Sequence, residues 1–178
     1  MAVQIGARPD SGFDDPIGML KDCHRRIEMF MNILCRIVQQ AQGRSLDAEE
    51  RQAVSAALHY FRESGPRHTM DEEESLFPRL RDMDAATVLD EVQRLESDHQ
   101  QASALHDEVE QLYSKWTYEG GLNSDEGPRL HTITGKLLKL YREHIRIEED
   151  VVFPYAAEQF DKNALAAMGA EIKVRREL

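Results

Sequence analysis

"HTMDEEESLFP" fills residues 68–78 and "HIRIEEDVVFP" fills residues 144–154, a separation of 76 residues. Both read His-x-x-x-Glu-Glu-x-x-x-Phe-Pro. In a helix, residues four apart share a face one turn on, so each His and the first Glu after it point the same way. Both stretches continue apolar stripes of helical period. Val54, Ala57, Leu58 and Phe61 lead to His68, and Leu130, Leu137, Leu138 and Tyr141 lead to His144. Glu72 and Glu148 therefore point toward a core. A buried carboxylate is costly unless it is paired or bound to a metal.

The rest of the chain is helical in pattern, with no strict alternation long enough for a strand. Helix A opens at Asp15-Pro16, a cap residue followed by proline at the first helical position. It carries Ile17, Leu20, His24, Ile27, Met31, Leu34 and Val38 and stops near Gly43. Helix B begins near Asp47, and "SGP" at 64–66 should kink or break it, because Pro66 lacks a donor and crowds the preceding turn. Helix C starts near Asp84 and carries Val88, Val92, Leu95, His99, Ala102, His106, Val109 and Tyr113. Helix D follows the loop "YEGGLNSDEG", with Ser124 as its candidate cap, and a shorter fifth helix follows Asp161. The pattern predicts an all-α fold, an up-down-up-down four-helix bundle with a short fifth C-terminal helix. The bundle should span 15–160, between a flexible segment 1–14 and a C-terminal helix 161–178 packed on or beside it.

The apolar stripe of each long helix is interrupted by a histidine: His24, His68, His99 and His144. At ~1.5 Å per residue, each lies roughly 28–32 Å from its hairpin loop, so an antiparallel bundle brings all four to one level. The repeat also extends backwards, since "LKDCH" at 20–24 matches "LESDH" at 95–99. The first hairpin thus resembles the second, and each half supplies one His plus one His-Glu pair. Such symmetric halves suit two metal ions side by side. A single His in a stripe is usually a satisfied core residue, but six polar groups at one level call for a cation. Glu73, Glu74, Glu149 and Asp150 read as solvated face or salt-bridge partners. Phe77 and Phe153 should seal the core, with Pro78 and Pro154 bending or closing their helices.

Charge and composition exclude other classes. The formal net charge is −11, which argues against nucleic acid and against an anionic membrane surface. No apolar stretch is long enough to span a bilayer, and the first residues lack a signal-peptide core. Cys23 and Cys35 lie 12 apart in one helix, too far to join in a disulfide, so a reduced, cytoplasmic setting is expected.

These residues resemble the hemerythrin-like, or HHE cation-binding, family: His24, "HTMDE" at 68–72, His99 and "HIRIE" at 144–148. The resemblance covers roughly residues 15–158. It implies a non-haem di-iron centre, two iron ions joined by an oxo or hydroxo bridge. By that resemblance Glu72 and Glu148 bridge the irons and His24, His68, His99 and His144 are terminal ligands, two per iron. Manganese or zinc are substitutes that the same donors suit. Oxygen-carrying members have a second helix-C histidine where this chain has Ser103, and they end in His-x-x-x-x-Asp where this chain has Glu148 and Glu149. That places the chain closer to a four-His, two-Glu subgroup. His106, two turns beyond His99, reads as a channel or core residue, Tyr141 as a core or outer-shell residue, and His59 and His131 as surface.

Two functional readings follow. One is a binding or sensing protein that takes up O2, NO or peroxide. The other is an enzyme on the same centre with peroxidase- or catalase-like, NO-reducing or ferroxidase activity. A ferritin-like reading is weak, because only "ESDH" at 96–99 has the Glu-x-x-His spacing of that class.

Overall fold

The computed structural model describes residues 10–83 and 86–177. Helix α1 (Pro16–Ala41) starts where expected: the Asp15 carboxylate accepts the Gly18 N–H, with Pro16 in the first turn. It ends in Gln42 at φ 48° and Gly43 at φ 82°, the left-handed backbone that closes many helices. Helix α2 (Ala48–Glu63) opens on a full capping box between Asp47 and Glu50. The chain breaks at Ser64, and α3 (Gly65–Asp71) resumes with Pro66 in its first turn, as the missing donor of Pro66 predicts.

The next element has no counterpart in the sequence pattern. Glu72–Leu76 is a π-helical turn, π1, closed by the Phe77 N–H donating to the Glu72 carbonyl. Helix α4 (Phe77–Asp82) then continues. Pro78 therefore does not end the helix. The wider turn gives its ring room against the preceding carbonyls, and its missing N–H falls at a fresh helix start. The second repeat does the same, with π2 at Glu148–Val152 and α7 at Phe153–Gln159.

Helix α5 (Ala86–Glu119) is helix C, and its expected start at Asp84 lies outside the described residues. Helix α6 (Glu126–Ile147) precedes π2, and its cap differs from expectation. The Asn123 carboxamide oxygen, not Ser124, accepts the Asp125 and Glu126 N–H groups at 3.0 and 2.9 Å. Helix α8 (Lys162–Glu177) starts from Asp161, whose carboxylate accepts the Ala164 N–H.

Helix α1 packs on α2 and α6, and α5 packs on α6 and α2. The two hairpin loops meet at one end, where Leu122 N–H donates to the Gly43 carbonyl at 2.9 Å. The result is a four-helix bundle with α8 as the fifth helix. Its interior is two apolar clusters. One, around Met31, Leu34, Tyr113 and Trp116, fills the hairpin end. The other, around Leu20, Leu76, Phe77, Leu95 and Phe153, fills the opposite end. The repeated His-Glu segments lie between them.

Helix α8 grips the first π turn. Asp71 is fully buried, and its carboxylate accepts from Arg175 Nε at 2.9 Å and Arg176 Nη2 at 2.6 Å. Arg175 also reaches Ser75 Oγ, and Arg79 pairs with Glu171 at 2.7 Å. Gly169 admits the Phe13 backbone, since a Cβ there would collide with the Phe13 carbonyl. Removing one partner of a buried ion pair strands the other. Asp71→Ala should cost about 3 kcal/mol, the low end of that range because both arginines are partly exposed, or roughly 6–12 °C in Tm. Thermal unfolding followed by circular dichroism measures it, and an unchanged Tm would show that α8 is not held this way.

Candidate metal centre

All four stripe histidines and both inward glutamates meet in one buried layer. His24 comes from α1, His68 from α3, His99 from α5 and His144 from α6, while Glu72 and Glu148 open the two π turns. Glu72 and Glu148 are 0% exposed. Ligand atoms of His24, His68, Glu72 and Glu148 lie within 4.8 Å of one another, and so do those of Glu72, His99, His144 and Glu148. Two four-residue sets therefore share the same two carboxylates. The Glu72 carboxylate is split between them: Oε1 is 3.1 Å from His68 Nε2, and Oε2 is 3.2 Å from His99 Nε2. Glu148 Oε2 lies 3.0 Å from His24 Nε2 and 3.4 Å from His144 Nε2.

These approaches are short but are not aligned hydrogen bonds. All four carboxylate oxygens and His24 Nε2 are buried with no hydrogen-bond partner. Buried polar atoms are nearly always satisfied, so five orphans converging on one spot need an explanation. A cation between them is the simplest one. Four imidazoles and two carboxylates are a donor set for iron, manganese or zinc, and the cluster is able to hold a metal.

The π turns also aim residues that the 3.6 period places elsewhere. With i to i+5 bonding, residues five apart share a face. Glu72 and Phe77, and likewise Glu148 and Phe153, therefore face the site together. Phe153 stacks on His24 at 5.3 Å and Phe77 on His99 at 6.2 Å between ring centroids.

The second glutamate of each repeat is not merely solvated. Glu149 Oε1 is 2.8 Å from His24 Nδ1, and Glu73 Oε1 is 2.8 Å from His99 Nδ1. Each carboxylate can accept the Nδ1–H and so turn Nε2, with its lone pair, inward. Asp98 Oδ2 stands 3.6 Å from His144 Nδ1. The doubled Glu in both repeats carried this information, but a straight α-helix turns the second Glu about 100° away from the first. Glu74 and Asp150 are exposed, as expected. Cys23, next to His24 in the chain, belongs to neither four-residue set; it is buried and accepts from Arg176 Nη2 at 3.4 Å. Burial pushes this thiol up, but His68 and Arg176 outweigh it and hold it at about 7. Cys23 and Cys35 are both free thiols.

His106 and Tyr141 do not join the cluster. Tyr141 Oη lies 2.7 Å from His106 Nε2. Burial pushes His106 down to about 4, so it is neutral at pH 7, and its tautomer sets which of the pair donates. Both line a cavity of about 430 Å³ whose wall also includes His68, His99 and His144. Exposed Arg62 and Asp107 line it too, so it runs from the surface to the cluster. Ser103, which stands where oxygen carriers have histidine, is in the same wall. His59 and His131 are exposed.

A helical bundle with a shared histidine–carboxylate cluster defines a metal-binding bundle protein. The profile of the hemerythrin HHE cation binding domain matches residues 15–156, and the chain belongs to that family. A comparison with curated proteins finds no match. Among the described residues, no helix is long and apolar enough to cross a membrane.

Proton occupancy follows from the same geometry. Burial alone would push His24, His68 and His99 down, but the carboxylates facing them outweigh it. Glu148, Glu149 and Glu72 hold His24 well above the ordinary histidine value, and Glu72 raises His68. His99 is pushed up to about 9 by Glu72 and Glu73. Against burial, the histidines hold Glu72 well below the usual carboxylate range and also lower Glu148. In a metal-free preparation, His99 then contributes stability that is present below the ordinary histidine value and fades as pH rises through about 9. The two glutamates contribute stability above the ordinary carboxylate value that is lost in acid. A metal must displace the imidazole protons. Adding Zn²⁺ at pH 7 should release protons, and affinity should rise from pH 7 toward pH 9. Calorimetry in buffers of different ionisation enthalpy reads this directly; binding without proton release would contradict protonated imidazoles in the metal-free cluster.

Proposed function

We propose that the protein is a non-haem di-iron protein that binds a small diatomic ligand or oxidant, O2, NO or peroxide, as a sensor or binding protein. The observation that carries this reading is the pair of four-residue sets sharing Glu72 and Glu148. His24 and His68 would hold one ion, His99 and His144 the other, and the two glutamates would bridge them. Iron is what the family resemblance implies, and the donor set accommodates it; manganese and zinc fit the same donors. When bound, the metal pair supplies reversible electron transfer and open positions for the ligand.

The chain's own residues do the rest. Glu73 and Glu149 orient His99 and His24 through Nδ1. Phe77 and Phe153 close one side of the layer, and the apolar cluster around Met31 closes the other. The cavity admits a small ligand past Ala102, Ser103 and the His106–Tyr141 pair.

An enzymatic reading, turnover of peroxide, reduction of NO or oxidation of iron, has one observation in its favour. At about 430 Å³ the cavity is far larger than a diatomic molecule needs, and its wall carries a polar pair that can hold a proton. Mixing the reduced, iron-loaded protein with O2, NO and peroxide in turn separates the readings. A single stable adduct per centre is expected for a sensor. Many turnovers of one reagent would reject the sensor in favour of the enzyme.

The route is testable separately. Ala102 is buried in the cavity wall, and Ala102→Phe should narrow it. NO association measured by stopped flow should slow clearly, with metal content unchanged. An unaltered rate would place ligand entry elsewhere.

A further inference from the structure

Glu72 lies between two residues that α8 holds. Asp71 precedes it and Ser75 follows three residues on, and both are fully buried. One guanidinium reaches both: Arg175 Nε donates to Asp71 Oδ1 at 2.9 Å, and its Nη2 donates to Ser75 Oγ at 2.5 Å. The Ser75 hydroxyl donates its own hydrogen to Glu171 Oε2 at 2.6 Å. Glu171 Oε1 in turn accepts from Arg79 Nη2 at 2.7 Å, and Arg79 Nη1 donates to the Ser75 carbonyl at 2.7 Å. Arg176 Nη2 backs the assembly from the other carboxylate oxygen, Asp71 Oδ2, at 2.6 Å. Glu171 and Arg175 are four apart on α8 and share one of its faces. That face therefore spans π1, from the side chain just before Glu72 to the Ser75 carbonyl within the turn.

A π turn is rare backbone that gives up the usual i to i+4 bonding, so it needs support from outside the helix. In an α-helix Phe77 would lie about 140° round from Glu72, five residues at ~100° each. Relaxation of π1 to that form would take Phe77 and Glu73 away from His99. We propose that α8 is part of the metal site, with Arg175 the positioning residue that, through Asp71 and Ser75, fixes the π turn so that Glu72 faces the ions and Glu73 meets His99 Nδ1. The inference rests on the reading of Glu72 as a metal ligand. Arg175, Ser75 and Glu171 act through the backbone of π1 rather than on the ions. The ion pairs that fasten α8 to the bundle thus also set the aim of the carboxylate that two ions would share.

Competition against a chromophoric chelator for Zn²⁺ reads this without any turnover. Arg175→Ala leaves Asp71 its pair with Arg176, and Ser75→Ala leaves Asp71 both arginines; each cuts the span across the turn. Both should weaken Zn²⁺ binding by about tenfold, the low end of what loss of an outer-shell partner costs. The visible spectrum of the Co²⁺-loaded variants should shift as well, because the ligand geometry changes. Leu130→Ala is the stability control. Leu130 is fully buried in the apolar cluster of the hairpin end, so its truncation should lower Tm and leave affinity and spectrum as in wild type. A merely structural clamp would put Arg175→Ala and Ser75→Ala in that same class, and a lowered Tm with unchanged affinity and spectrum in both overturns the inference. Circular dichroism shows which variants fold, and Ser75→Ala, the smaller change, decides alone if Arg175→Ala does not. A wild-type protein that binds one ion rather than two overturns the paired-metal reading alone; one that binds none overturns both.

Discussion

Two carboxylates buried among four imidazoles set the terms for everything else in this fold. Glu72 and Glu148 are fully buried, and their oxygens lack hydrogen-bond partners. Neither could persist there without positive charge, supplied by protons on the histidines or by a metal. The bundle supplies the rest: apolar clusters above and below the layer, and short hairpins that bring the four histidines to one level. The charge problem of this layer is solved locally, which lets the ends of the bundle pack as ordinary apolar cores.

The π turns connect that constraint to the backbone. An ordinary α-helix could place His68 and Glu72 on the core face, but not Glu73 and Phe77 as well. One wider turn brings Glu72 toward the ions, Glu73 onto His99 and Phe77 across the ring of His99. The second repeat performs the same operation on His24 with Glu149 and Phe153. Each hairpin thus holds a histidine of the other half. This exchange ties the two hairpins together at the site. The tilt of a ligand ring depends on both.

The helical pattern and the His-x-x-x-Glu spacing make the architecture and the six inward residues legible, because burial at period 3.6 is written in residue types. The break at Ser64 is legible from Pro66, and the start of α1 from Asp15-Pro16. What is not legible depends on departures from that period. Glu73 and Glu149 read as solvated face or salt-bridge partners, not as residues that orient a ligand, because a straight helix turns them outward. Pro78 and Pro154 read as bends or ends of their helices because no residue type announces the π turn that relieves their clash. Asn123 displaces Ser124 as the cap of α6 because several polar residues in that loop could serve, and only the folded loop selects one.

The central claim is that Glu72 and Glu148 are shared by two metal ions. The most direct measurement is anomalous scattering at the iron edge from crystals of iron-loaded protein. The account predicts two peaks in the buried layer, one beside His24 and His68 and the other beside His99 and His144, with both glutamates between them. A single peak, or two peaks with Glu72 and Glu148 on only one of them, would contradict it.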